Sequence, residues 1–129
     1  MPRQILDEAQ IHPSIRERIA NQHRELVAQA RAAIAAHPVV VLGMRQNPFC
    51  RKVRRQLDAA GIAYQYIEHG SYFGGWRARN AWKMWTGWPT LPMVFVRGVL
   101  VGGCDNVQRM LAGGELQRML AAGDAATAG

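Results

Sequence analysis

The sequence predicts an α/β domain in which helices cover both faces of a mixed β-sheet. The first observation is a strand–helix–strand unit, with an apolar, β-branched run at residues 39–42 and a second strand at residues 63–67. Such a unit pairs its two strands in parallel. The second observation is a pair of strands at residues 93–96 and 99–101, which a two-residue turn joins in antiparallel fashion. The third is the helical spacing of apolar residues around these strands, which predicts the outer layers.

Residues 1–37 are predicted to form an extension that holds one helix. Ser14 followed by Glu17 is a capping box, and apolar residues then recur at helical spacing as far as Ile34. Pro38 ends the helix. We expect this helix to pack on the domain and to carry no chemistry.

The other helices are placed by their capping residues. Asn is a good N-cap and Pro suits the first helical position, so Asn47 and Pro48 open a helix that Gly61 ends. The pattern predicts further helices at residues 76–85, 105–111 and 115–121, and a disordered tail at residues 123–129.

Composition is that of one globular domain. The chain has 129 residues, of which 49% are hydrophobic and 19% are charged. No apolar run approaches the ~20 residues that span a bilayer, and the N-terminus has no apolar signal region, so we expect neither a membrane span nor secretion. Two cysteines cannot build a disulfide framework, which predicts a reducing, cytoplasmic location.

The formal net charge is +7, and the densest basic cluster holds Arg51, Lys52, Arg54 and Arg55. A cluster of this kind is either a solvated helix face or a surface for anions such as nucleic acid. No zinc finger or other recognition motif accompanies it, so nucleic acid is not the favoured partner. The four histidines lack ligand spacing, and no metal site is predicted.

Four segments in order carry the chemistry. They are V-V-L-G-M-R-Q-N-P-F-C-R-K-V at residues 40–53, W-T-G-W-P-T-L-P at 85–92, V-F-V-R-G-V-L-V at 94–101 and G-G-C-D at 102–105. Together they resemble the glutaredoxin family, which has the thioredoxin fold, and W-P-T-x-P and G-G-C-D are closest to its monothiol class. The resemblance covers roughly residues 38–120. It implies a thioredoxin-like, mixed four-stranded sheet flanked by helices, in a domain at residues 38–122 that follows the helical extension.

The chain departs from the family at the position of the attacking thiol. N-P-F-C stands where the family has C-P-Y-C or C-G-F-S, so Asn47 takes the place of the first cysteine and Cys50 that of the second. At a helix N-terminus, free N–H groups and the helix dipole stabilise a thiolate. An asparagine amide accepts the same hydrogen bonds but is no nucleophile. Cys50 is then either a small hydrophobic residue facing the core or the working thiol.

Cys104 is the other thiol, and the resemblance places it at a helix start near the family's glutathione site. It is either a packed small residue or a second reactive thiol, and a disulfide between Cys50 and Cys104 is conceivable. Four tryptophans lie within residues 76–88 and are either core residues or part of a partner surface.

The resemblance also implies a glutathione-binding groove. Pro92 matches the family's cis-proline, which would expose the Leu91 backbone to the cysteinyl part of glutathione. Asp105 and the N–H groups of Gly103 and Cys104 would hold the γ-glutamyl end. Arg45 would meet the glycyl carboxylate. Thr90 is the remaining candidate in this groove. The alternative for Thr90 and Pro92 is a tight turn with a purely structural role.

Three functions follow as hypotheses. The first is a glutathione-dependent thiol–disulfide oxidoreductase that works through Cys50, with Cys104 as a possible second thiol. The second is a non-catalytic module that binds glutathione, a thiol peptide or a thiol-containing protein. The third is an iron–sulfur carrier, which Asn47 disfavours because the cluster needs a thiolate at that position. We expect glutathione as the ligand and low native activity.

Overall fold

The computed structural model describes residues 3–21, 23–70 and 76–128. After a short 3-10 turn at Glu8–Gln10 come six helices and four strands within this part of the chain. Their order is α1 (Pro13–Asn21), α2 (Arg24–Ala36), β1 (Val39–Gly43), α3 (Pro48–Ala59), β2 (Gln65–Glu68), α4 (Trp76–Thr86), β3 (Met93–Val96), β4 (Val99–Gly102), α5 (Cys104–Ala112) and α6 (Glu115–Ala128).

The four strands form one mixed sheet in the order β2-β1-β3-β4. β1 pairs in parallel with β2 and antiparallel with β3, and β3 pairs antiparallel with β4. Arg97 and Gly98 join the last two strands with φ values of +51° and +82°, the positive pair that a tight hairpin turn requires. The predicted mixed sheet is therefore confirmed.

Strand β1 lies between two hydrophobic cores, because its side chains point alternately to the two faces of the sheet. Val40 and Leu42 pack with residues of α2 and α4, including the fully buried Trp82. Val39 and Val41 pack on the other face with residues of α3, α5 and α6. Both faces of the sheet are covered, which explains why every residue of β1 is buried.

The N-terminal segment differs from the single helix that the sequence predicts. Two helices are present, and His23 between them has a left-handed backbone with φ +49°. A left-handed residue cannot continue a right-handed helix, so the chain changes direction there. Ala30 on α2 is fully buried, whereas Ile15 and Ile19 on α1 remain 46% and 48% exposed. The apolar residues expected on the face of one helix are thus divided between α1 and α2.

The C-terminal helix also differs from its prediction. The sequence predicts an end at residue 121 and a disordered tail, but α6 continues to Ala128. Of the predicted tail, Gly129 lies outside the described residues. Leu116, which is fully buried, anchors the first turn of this helix to the core.

Candidate functional site

Three chain segments meet at one end of the sheet. β1 leads through a short loop into α3, and Leu42 near the end of β1 pairs with Met93 at the start of β3. Val94 in turn pairs with Gly102, the last residue of β4, from which α5 starts. The register therefore brings together the start of α3, the loop before β3 and the start of α5.

A cavity of about 230 Å³ lies where these segments meet. Six of the residues that the sequence analysis assigned to a glutathione groove line it: Thr90, Leu91, Pro92, Gly103, Cys104 and Asp105. Phe49, Trp88 and Asn106 complete its lining among the described residues. Residues that are far apart in the chain thus form one concave surface.

The side chain of Asn47 caps the N-terminus of α3 through its oxygen atom. Its Oδ1 accepts the backbone N–H of Phe49 at 2.8 Å and that of Cys50 at 3.1 Å. The predicted N-cap is therefore confirmed, with Pro48 at the first helical position. The amide is 8% exposed and occupies the N–H groups that would otherwise stabilise an anion at this helix end.

The loop before β3 contains a cis peptide bond between Leu91 and Pro92, as the resemblance implies. Thr86 holds the start of this loop, because its Oγ1 accepts the Trp88 N–H at 3.1 Å and donates to the carbonyl of Trp82 at 2.9 Å. The loop thereby presents Thr90, Leu91 and Pro92 to the cavity.

The start of α5 forms the opposite wall. Asn106 Oδ1 accepts the Gly103 N–H at 3.1 Å, so this N–H already has an acceptor within the chain. The role of the Gly103 N–H in holding a carboxylate, which the resemblance implies, stays a prediction and would require this hydrogen bond to be shared or exchanged. The N–H groups of Cys104 and Asp105 belong to the first helical turn, where the helix itself supplies no acceptor.

Cys50 faces the core and does not line the cavity. Its side chain is 1% exposed and packs among apolar residues such as Leu42, Met44 and Ile67. Burial raises the pKa of the Cys50 thiol above its usual value, and a hydrogen bond from the Met44 backbone offsets this only in part. The geometry favours the interpretation of Cys50 as a packed hydrophobic residue.

Cys104 is the thiol that lines the cavity. Burial is the main cause that raises the pKa of Cys104, and the Asp105 carboxylate adds to it, whereas the positive charge of Lys52 acts to lower it. Both cysteines are free thiols in this structure.

Arg45 does not belong to the cavity lining. Its side chain is 75% exposed, and its Nε lies 4.0 Å from a carboxylate oxygen of Glu68 on β2, which flanks β1 on the side away from β3. The Arg45 backbone N–H donates to the Gly70 carbonyl at 2.8 Å, which holds the loop on that side. Its predicted contact with a glycyl carboxylate stays a prediction.

Sequence reasoning missed three residues of the cavity. Phe49 is the aromatic residue of N-P-F-C and is 56% exposed, so its exposure at a helix start was the available signal. Asn106 lies three residues after Gly103, the spacing of a side chain that caps its own helix start. Trp88 is one of the four tryptophans for which core and partner surface were left open: it packs against the core and also lines the cavity, Trp82 is buried in the core, and Trp76 is 58% exposed.

The described residues contain no group of three or more histidine, cysteine or acidic side chains placed to hold a metal ion. At the start of α3 the donor is the amide oxygen of Asn47, which does not match the thiolates that an iron–sulfur cluster requires. Over the described ranges, no helix combines the length and the apolar character needed to cross a membrane.

The fold and the cavity define a thioredoxin-fold domain, and known proteins agree. The glutaredoxin family model matches residues 39–101. A glutaredoxin-like protein of Dictyostelium discoideum is 43% identical over 98 residues, which cover 76% of this chain and 80% of the relative. Glutaredoxin-C4 of Oryza sativa, described as chloroplastic, is 35% identical over 110 residues that cover 84% and 83% of the two chains. The chain therefore belongs to the glutaredoxin family.

Two solved structures of buckwheat glutaredoxin are similar. A mutated form has a TM-score of 0.70 and 31% identity, covering 80% of this chain and 94% of its own. A complex with glutathione has a TM-score of 0.68 and 29% identity, covering 81% and 94%. The family and the fold are thus established, while the particular likeness to the monothiol class stays a prediction.

Proposed function

We propose that this chain binds glutathione in the cavity between the loop before β3 and the start of α5, and that it does not use position 47 for thiol–disulfide exchange. The observation that carries the proposal is the convergence of Thr90, Leu91 and Pro92 with Cys104 and Asp105 on one cavity, beside a helix start that Asn47 caps. The similar buckwheat protein was solved as a glutathione complex, which supports the choice of ligand.

Each part of glutathione has a chemical counterpart in the cavity. The Leu91 backbone before the cis-proline offers main-chain groups to the cysteinyl residue. The exposed Asp105 carboxylate suits the γ-glutamyl ammonium, and the N–H groups of Cys104 and Asp105 suit its carboxylate. Phe49 and Trp88 supply apolar walls for the methylene groups.

Catalysis through the family's usual position is not supported. The Asn47 amide holds the N–H groups of Phe49 and Cys50 and has no nucleophilic atom to attack a disulfide. Cys50 is buried on the core side with a raised pKa, so it lacks both the access and the thiolate population that exchange requires. The resulting protein is a glutathione-binding module of the glutaredoxin family.

Calorimetric titration with reduced glutathione tests this proposal. We expect saturable one-to-one binding that Asp105→Ala weakens at least tenfold, because the charge facing the γ-glutamyl ammonium is lost. Asp58→Ala is the matched control, since it removes an exposed carboxylate on α3 that does not line the cavity. Absence of binding, or equal affinity of the two variants, would contradict the proposal.

A second candidate function rests on Cys104. This thiol lines the same cavity, unlike Cys50. Burial raises its pKa and the charge of Lys52 offsets this only in part, so exchange through Cys104 would be slow at neutral pH. The Cys104 thiolate would attack one sulfur of oxidised glutathione, whose S–S bond breaks as the Cys104–glutathione disulfide forms. The departing glutathione thiolate then takes a proton from water.

Intact-mass measurement after incubation with oxidised glutathione distinguishes the two candidates. One glutathione adduct that Cys104→Ser removes and Cys50→Ser retains would support exchange at Cys104. No adduct at neutral pH, with glutathione binding intact, would support the binding module alone. Under either candidate function, the same cavity would also bind a thiol-containing protein as a partner.

A further inference from the structure

A second concave surface lies on the opposite side of the molecule from α3, where α1 and α2 face α4. Two adjoining depressions of about 540 Å³ and 290 Å³ share Ile19 and Met84, so they form one groove. We call it the helical groove and define it by Ile15, Ile19, Val27, Ala28, Ala81 and Met84. Among the described residues, it shares no lining residue with the glutathione cavity.

The helical groove leaves large apolar side chains in water. Met84 is 72% exposed, and Ile15 and Ile19 are 46% and 48% exposed. Exposed apolar side chains that are contiguous, rather than scattered, are typical of a binding surface. Methionine adapts its shape to different partners because its side chain is unbranched and flexible.

The charged side chains that line the groove are all positive. Arg18, Arg24 and Arg31 line it, and no acidic side chain is among the described residues that do. Arg31 also lies over the Trp85 ring, with 5.9 Å between its guanidinium carbon and the ring centroid. An apolar floor with an arginine rim is complementary to an apolar stripe flanked by carboxylates.

The length of the surface and its helical walls indicate an elongated occupant that binds through side-chain packing. A further depression of about 650 Å³ adjoins it through Arg31 and Trp85 and reaches Ala36, so the surface follows α2 from Arg24 to its last residue. Thirteen helical residues span about 20 Å. The walls around Ile19 and Met84 are helices and offer no strand edge, so recognition there depends on side-chain packing.

We propose that the helical groove docks an acidic amphipathic helix of a partner protein. Leucine-type residues on one face of that helix would fill the groove, and glutamates or aspartates on its flanks would pair with Arg18, Arg24 and Arg31. A second copy of this chain is the poorer occupant, because each copy carries a net charge of +7 and the same arginine rim. A flat anionic bilayer is also poorer, because Ala81 and Trp85 are recessed between the helices.

The test uses a labelled, end-blocked helical peptide, with leucines at i, i+3, i+4 and i+7 and glutamates on the flanks, measured by fluorescence anisotropy. We expect it to bind at least tenfold more tightly than a scrambled peptide of equal composition and than a version with lysine in place of glutamate. Added salt should weaken the binding because the arginine contacts are partly exposed.

Matched variants locate the binding on the protein. Met84→Glu and Arg24→Glu change exposed groove residues and are each expected to weaken binding at least tenfold. Val99→Glu and Arg109→Glu make the same changes at exposed positions outside the groove and should leave binding within twofold. Glutathione affinity should be unchanged in all four variants.

Three results would overturn the proposal. They are equal binding of the acidic and lysine peptides, groove variants that bind like the wild type, and recruitment of the protein to phosphatidylserine vesicles with no binding of the acidic peptide. None of these results bears on the glutathione cavity, so the two proposals fail separately.

Discussion

The side-chain oxygen of Asn47 accepts the backbone N–H of Cys50 at 3.1 Å, so a cap occupies the helix start where the glutaredoxin family places its attacking thiol. The same oxygen accepts the Phe49 N–H at 2.8 Å. The start of α3 is therefore satisfied by a neutral group, and Cys50 one turn later is directed into the core. The stability and the reactivity of this helix start should reflect that arrangement.

Asn47→Ala is expected to lower the free energy of unfolding by about 1 kcal/mol, because two N–H groups lose their acceptor in a site with little access to water. Urea denaturation measures the change. Asn47→Ser is the matched control, because its hydroxyl keeps a capping acceptor and the loss should be smaller. An alanine variant as stable as the serine variant would show that the cap contributes nothing.

The two thiols should differ in their response to glutathione. Cys104 lines the cavity and Cys50 does not, so saturating reduced glutathione should slow alkylation of Cys104 by iodoacetamide and leave Cys50 unchanged. Peptide mapping after timed alkylation gives both rates in one experiment. Protection of both thiols, or of neither, would count against a ligand in this cavity.

Alkaline pH should destabilise the fold through Cys50. Its pKa is raised above 9.0 by burial, so the folded state holds the thiol proton more tightly than the unfolded state. This contribution is fully present below pH 9.0 and is lost as pH rises through the folded-state pKa. The stability of the wild type should therefore fall more steeply than that of Cys50→Ala above about pH 9.

Melting curves of both proteins across this range provide the measurement. Burial raises the pKa of Tyr66, and the charge of the Cys50 thiolate raises it further, so both proteins are compared in a Tyr66→Phe background that removes this coupling. Cys104 is present in both, and the difference between the two melting temperatures then reports Cys50. Parallel curves would mean that the Cys50 thiol is not buried in solution.

Local signals in the sequence were sufficient for much of the fold. Asn47 and Pro48 mark the start of α3, and Arg97-Gly98 marks the hairpin, because capping and turn chemistry act over a few neighbouring residues. The break at His23 was missed because the apolar spacing continues across it, so nothing in the pattern marks the left-handed residue.

Main-chain position makes part of the candidate site predictable from the sequence, whereas the partners that side chains choose are not. Pro92 and Cys104 lie at the cavity because strand register brings their segments together. Arg45 turns toward Glu68 and Asn106 takes the Gly103 N–H, and neither choice of partner can be read from spacing alone. The cytoplasmic location stays a prediction, because the fold of a protein does not determine its cellular compartment.

Whether Asn47 silences thiol–disulfide exchange is tested by comparing the wild type with Asn47→Cys in a glutathione-dependent assay on a glutathione mixed disulfide. A cysteine at this position would meet the N–H groups of Phe49 and Cys50, which favour a thiolate, next to an intact cavity. We predict a wild type near the uncatalysed rate and a variant at least about tenfold faster, because only the variant has a low-pKa nucleophile there. A wild type that already matches the variant, or a variant that binds glutathione and stays inert, would contradict it.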